Sequence, residues 1–137
     1  MKGKTSVLLV DDNLNLCKTM SFVLERKGFE VRIAGDGDTA IDDVKERAYD
    51  VIFMDIKMPR KDGVETFREI KKIRPDASVV MMTAYAVSDL VQEAIKEGAK
   101  AVVYKPFDME DVLSRIEEFK SAGHASGQGV PAGRKRS

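Results

Sequence analysis

The chain has 137 residues, enough for one domain with a buried core, and Lys+Arg and Asp+Glu balance at 23 each. That neutrality argues against a protein whose main task is to coat nucleic acid or an anionic membrane. The single cysteine, Cys17, excludes an internal disulfide and a cysteine-based zinc cluster. No stretch approaches the ~20 apolar residues of a membrane span, and Met1-Lys2-Gly3-Lys4 leads into a strand without a signal-peptide core, so a cytoplasmic protein is expected.

In chain order, the apolar run Val7-Leu8-Leu9-Val10 reads as a buried strand and ends on the acidic pair Asp11-Asp12. Leu16, Met20, Val23 and Leu24 then make a helical stripe, which also gives Cys17 an ordinary place as a small apolar residue. Gly28 stands where a left-handed helix end falls, before a strand over 29–34. Asp36 opens a second helix striped by Ala40, Ile41, Val44 and Ala48. The strand 51–54 ends on Asp55, and Val64, Phe67 and Ile70 mark a third helix. The strand 79–82 ends on Thr83-Ala84, and Leu90, Val91, Ala94 and Ile95 mark a fourth helix closed by Gly98. The strand 101–104 ends on Lys105-Pro106, and a fifth helix begins at Asp108, whose spacing to Asp111 suggests a capping box, with Val112, Leu113, Ile116 and Phe119 as its stripe. Beyond residue 120 the apolar period stops. Residues 121–137, with His124 and Arg134-Lys135-Arg136, read as a flexible basic tail or linker stump, where the histidine and the basic trio are most simply solvated charge.

Five β-α units with short connections predict an α/β fold: a doubly wound, three-layer (βα)5 sandwich on a parallel five-stranded sheet. Ligands in such sheets bind beyond the carboxyl ends of the strands, at the switch point near the first and third strands. Asp11, Asp12 and Asp55 are therefore aimed at one rim, joined there by the Thr83 hydroxyl and the Lys105 ammonium. Two like charges about 4 Å apart repel by roughly 4 kcal/mol at an effective dielectric near 20. Three carboxylates need a cation, and Mg²⁺ prefers such all-oxygen sites. A carboxylate can also attack a phosphoryl group, and phosphoryl transfer needs mainly positioning and neutralisation of the equatorial oxygens.

Leu8-Leu9-Val10-Asp11-Asp12, Met54-Asp55-Ile56-Lys57-Met58-Pro59 followed by Asp62-Gly63, Met82-Thr83-Ala84 and Tyr104-Lys105-Pro106-Phe107 together resemble the receiver domain of two-component response regulators, of the chemotaxis-regulator type. Each motif is weak alone; all four, in order and at the expected spacing, are specific. The resemblance covers residues 4–120 and implies a flavodoxin-like strand order 2-1-3-4-5. It implies Asp55 as phosphoacceptor, with Asp11, Asp12, Asp55 and the backbone carbonyl of Lys57 holding Mg²⁺, or Mn²⁺ in its place. Thr83 and Lys105 would contact the phosphoryl oxygens, Thr83 and Tyr104 would relay the switch, and Lys57 and Tyr85 would tune the lifetime of the phosphorylated state. The Lys105-Pro106 bond is expected to be cis.

The donor implied is a phosphohistidine on a sensor histidine kinase or phosphotransfer protein, docking around Asn13, Leu14 and Leu16. The readout implied is the surface of the fourth helix, fifth strand and fifth helix (87–98, 99–104 and 108–119), which would address a partner, an attached domain or a second copy. Nucleic acid would be reached only through an output domain, and no membrane contact is expected. Such a protein is a signalling switch that catalyses only its own phosphorylation and autodephosphorylation. Two enzyme-like or cofactor-binding readings fit poorly. A haloacid-dehalogenase-type phosphatase would carry a second acid where Lys57 stands, and an FMN protein would carry a Ser/Thr/Gly-rich loop where Asp11-Asp12-Asn13-Leu14 stands. The alternative that remains is a receiver-like binding module that works without phosphorylation.

Overall fold

The computed structural model describes residues 3–84 and 89–120. It alternates β1 (Ser6–Val10), α1 (Leu14–Arg26), β2 (Glu30–Ala34), α2 (Gly37–Glu46), β3 (Val51–Asp55), α3 (Gly63–Ile73), β4 (Val79–Thr83), α4 (Asp89–Lys96), β5 (Ala101–Tyr104) and α5 (Met109–Phe119). The strands form one parallel sheet in the order β2-β1-β3-β4-β5, as expected. β1, β3 and β4 are buried along their whole length, so their runs are apolar without alternation.

Alternate residues of those strands feed two cores. Leu8, Val10, Ile52, Met54, Val79 and Met81 pack against α2, α3 and α4 through Ala40, Val44, Phe67, Ile70, Val91 and Ala94. Val7, Leu9, Val51, Phe53, Val80 and Met82 face α1 and α5 through Cys17, Met20, Leu24, Val112 and Ile116. Phe53 and Phe67 are fully enclosed, one in each layer; burying such a side chain contributes about 1.5–3 kcal/mol.

Among the described residues, the helix ends follow local chemistry with one exception. Asn13 caps α1 by accepting from the Leu16 N–H, and Asp36 caps α2 by accepting from the Thr39 N–H. Gly28 and Gly98 both take positive φ, at 97° and 109°, where a side chain would be strained. The exception is the box expected at Asp108 and Asp111. Asp108 makes no side-chain cap, because the Asp111 N–H is already bonded to the Asp108 carbonyl at 3.0 Å. Asp111 is also a methylene too short for the reciprocal arm. The box forms instead on α3, where Asp62 accepts from the Glu65 N–H and Glu65 accepts from the Asp62 N–H, both at 3.0 Å. Ile95, expected in the α4 stripe, is 46% exposed because Val91 and Ala94 take the inward face.

Asp43 was not anticipated by the periodicity: it is buried on α2, paired with Arg32 of β2 at 3.2 Å, and its other oxygen has no hydrogen-bond partner. Burial raises its pKa against the pull of Arg32.

One close approach fixes where α3 begins. A Cβ on Gly63 would lie 2.3 Å from the Asp55 carbonyl oxygen and 2.8 Å from the Ile56 Cα, both backbone atoms that cannot swing aside. Gly63→Ala is therefore expected to destabilise the domain by about 1–3 kcal/mol through overpacking. Urea denaturation checks this; an unchanged midpoint would mean that the loop yields freely.

Candidate functional site

The switch point of the sheet lies between β1 and β3, since β1 pairs with β2 on one side and β3 on the other. Asp11 follows β1 and extends its ladder, its N–H bonding the Ala34 carbonyl at 3.1 Å. Asp55 is the last residue of β3, in register with Met82. Thr83 ends β4 in register with Tyr104. Lys105 comes next after β5, its N–H held by the Thr83 carbonyl at 2.8 Å. Four strand ends thus bring the five side chains Asp11, Asp12, Asp55, Thr83 and Lys105 to one rim.

Asp11, Asp12 and Asp55 each place one carboxylate oxygen within 4.8 Å of the others; Asp11 and Asp55 are buried and Asp12 is exposed. The Lys105 ammonium lies 2.7 Å from Asp11 Oδ2 and 3.6 Å from Asp55 Oδ1. The other oxygen of Asp11 accepts from the Asn13 N–H at 2.9 Å. Both Asp11 oxygens are therefore engaged, and Lys105 is closer to Asp11 than to Asp55. Beneath them Cys17 is buried and its thiol donates to the Asp11 carbonyl at 3.6 Å. Burial, and then the Asp11 charge, push this thiol up to about 11, so it stays protonated at neutral pH.

Asp55 is the perturbed acid of the site. Burial, reinforced by the charge of Asp11, raises its pKa to about 6, against Lys105 and a hydrogen bond from the Lys57 N–H, which both pull down. Burial lowers the Lys105 pKa, but its bonds to Asp11 and Asp55 outweigh that and leave it raised. A carboxylate held up by its neighbours is one that a further cation would relieve. The all-oxygen donor set fits Mg²⁺ rather than a soft metal.

Thr83 is buried, whereas Tyr104 is 45% exposed. Lys57 is exposed on the β3–α3 loop. The Lys105-Pro106 bond is cis, as expected. Tyr85 lies outside the described residues. The structure adds two groups the motifs did not single out, the Asn13 N–H and the Cys17 thiol, and seats Gly63, already part of a motif, close under Asp55. Only the first had a local signal, because an Asx side chain commonly accepts from the N–H two residues on.

The profile of the response regulator receiver domain matches residues 7–117. The chain belongs to this family. A curated relative, transcriptional regulatory protein ZraR of Escherichia coli strain K12, is 32% identical over 126 residues, which is 92% of this chain and 29% of ZraR. This chain thus spans less than a third of that relative's length. Among solved structures, a CheY-like response regulator receiver domain protein from Methanospirillum hungatei JF-1 superposes with a TM-score of 0.85 at 28% identity, covering 92% of this chain and all of that one. Response regulator protein TrrA from Thermotoga maritima, solved in complex with Mg(2+)-BeF, superposes with a TM-score of 0.74 at 30% identity, covering 84% of this chain and 98% of that one. The receiver fold and the acidic cluster thus occur in one chain, and no described helix is long and apolar enough to cross a membrane.

The site makes a measurable statement about pH. Without divalent cations, the Asp55 carboxyl followed by carbon NMR is expected to titrate near 6, well above the ordinary carboxylate value of about 4. Asp11→Asn should lower the midpoint, by removing a like charge and releasing Lys105, and Lys105→Met should raise it. A folded pKa above the unfolded one means the native state holds its proton more tightly. Stability from this group is therefore full below the unfolded value and is lost as pH rises through about 6. Asp55→Asn should flatten that fall, and a wild-type midpoint in the ordinary range would refute the account.

Proposed function

We propose that this domain is a phosphorylation switch in which Asp55 accepts a phosphoryl group. The observation that carries the reading is the convergence of Asp11, Asp12, Asp55 and Lys105, three acids and one ammonium from three separate strand ends, around one raised carboxylate. Asp11, Asp12, Asp55 and the Lys57 carbonyl would hold Mg²⁺, with Mn²⁺ able to replace it. When bound, the ion supplies neutralisation of charge on the transferring group.

The side chains then have separate tasks. An Asp55 oxygen attacks phosphorus in line, and the leaving group departs from the opposite side. The Lys105 ammonium leaves its contact with Asp11 for a phosphoryl oxygen, and the Thr83 hydroxyl donates to another. Phosphorylation adds about −1.5 to −2 charges at one point, and a local event of that kind acts by biasing a bistable element. The receiver unit is read as residues 4–120. Its output surface is α4, β5 and α5, where Ile95 and Tyr104 stand half exposed; Thr83 and Tyr104 would relay the change.

The phosphodonor would be a histidine kinase or phosphotransfer protein in the cytoplasm, docking at Asn13, Leu14 and Leu16. Leu14, 50% exposed, suits such a contact. The output would be an attached domain, a partner or a second copy, with any nucleic-acid contact made by an output domain. The Mg(2+)-BeF complex of TrrA supports the metal and the anion site together.

Incubation with acetyl phosphate and Mg²⁺ should add one phosphate to the intact protein, mapped by mass spectrometry to Asp55. Asp55→Asn or chelation of the metal should abolish the adduct. No adduct on a folded wild type would favour a phosphorylation-independent binding module instead. A separate variant addresses lifetime: Tyr85→Ala should speed autodephosphorylation by opening the path of attacking water, and an unchanged rate would remove Tyr85 from that role.

A further inference from the structure

α4 is the shortest described helix and is thinly held. It is eight residues long and fully buries Val91 and Ala94, with Leu90 partly buried against the core, whereas α3 buries Val64, Thr66, Phe67 and Ile70 along with Gly63. Alanine brings little apolar area, so the apolar grip on α4 is slight. Against this, one cation crosses between the helices. Arg68 of α3 donates from Nε to Glu97 Oε1 at 2.8 Å and from Nη2 to Glu97 Oε2 at 2.7 Å, a two-pronged pairing. The same Nη2 also bonds Glu93 of α4. Two carboxylates one helical turn apart thus share one guanidinium.

Isolated exposed ion pairs contribute little, but two-pronged arginine pairs in a network are the recognised exception. They matter most where little else holds. α4 is also the next helix after Thr83 in the chain.

We propose that Arg68 is an ionic latch. It ties α4 to α3 in the unphosphorylated domain and sets how readily α4 leaves that position, and so how readily the switch is thrown. The second half rests on the reading of Asp55 as phosphoacceptor; the first does not. Arg68 touches no group of the acidic rim and acts through α4 alone, which makes it a regulatory residue rather than a catalytic one.

The test uses the full chain with Arg68→Gln, Glu97→Gln, the double variant and Arg68→Lys. Amide hydrogen exchange without phosphodonor should show residues 89–96 of Arg68→Gln exchanging about two- to fivefold faster, the range expected for an exposed ion-pair network. β1 and α1 should be unchanged, which separates a latch from general destabilisation. High salt should loosen α4 of the wild type and have no further effect on Arg68→Gln. Adding Glu97→Gln to Arg68→Gln should change little more, and Arg68→Lys should fall between.

With acetyl phosphate and Mg²⁺, phosphorylation of Arg68→Gln should be faster by a similar factor. Unaltered exchange in α4 overturns the latch. Faster exchange with an unchanged phosphorylation rate overturns its regulatory role. A wild type that takes no phosphate refutes the phosphoacceptor reading and with it the regulatory half, while the exchange result still decides whether the latch exists.

Discussion

Two carboxylates buried side by side would drive each other to protonation, and a single ammonium decides the outcome here. Lys105 lies 2.7 Å from Asp11 and 3.6 Å from Asp55, so the pair shares one positive charge unequally. Asp11 has both oxygens engaged, one by Lys105 and the other by the Asn13 N–H. Asp55 is left under-compensated, and its carboxyl sits at about 6 instead of the ordinary range. Burying an ion is costly unless it is paired and hydrogen-bonded. Everything else at the rim is arranged around that imbalance: the Asn13 N–H that fixes Asp11, the Lys57 N–H that steadies Asp55, and the glycine that lets α3 begin directly under the Asp55 carbonyl. An under-compensated carboxylate at a strand end is a group that gains from a nearby cation.

Most of this architecture was legible in the chain because each layer of information agreed. Val7-Leu8-Leu9-Val10 and Val51-Ile52-Phe53-Met54 are apolar on both faces, which only a covered parallel sheet permits. Once the strands are parallel, their carboxyl ends share an edge, and Asp11, Asp55, Thr83 and Lys105 meet without further assumption. What could not be read was pairing that depends on distance across the fold. Lys105 is 94 residues from Asp11, and no local pattern says that it prefers Asp11 to Asp55. Arg68, Glu93 and Glu97 look like ordinary charges on exposed helix faces until α3 and α4 are set side by side. The box mistaken at Asp108 failed for a smaller reason: cap spacing was right, but the backbone carbonyl had already claimed the donor.

The division between site and surface follows from the same packing. The strands that carry Asp11, Asp55 and Thr83 are enclosed on both faces by two apolar layers, so the side chains of the acidic cluster are mounted on a closely packed part of the molecule. Positions held by such a core keep their relative geometry to tight tolerances.

α4 lies at the opposite extreme, gripped by Val91, Ala94 and a shared arginine. Its attachment is ionic where that of the strands is apolar, and the two respond differently to their surroundings. Apolar packing is nearly indifferent to ionic strength, whereas exposed charge pairing fades over a screening distance of about 8 Å at physiological salt. The domain therefore has a gradient of compliance from the sheet to α4, with its stiff end insulated from the solution and its soft end open to it. The ionic composition of the medium can adjust how freely the surface responds without moving the atoms of the acidic cluster.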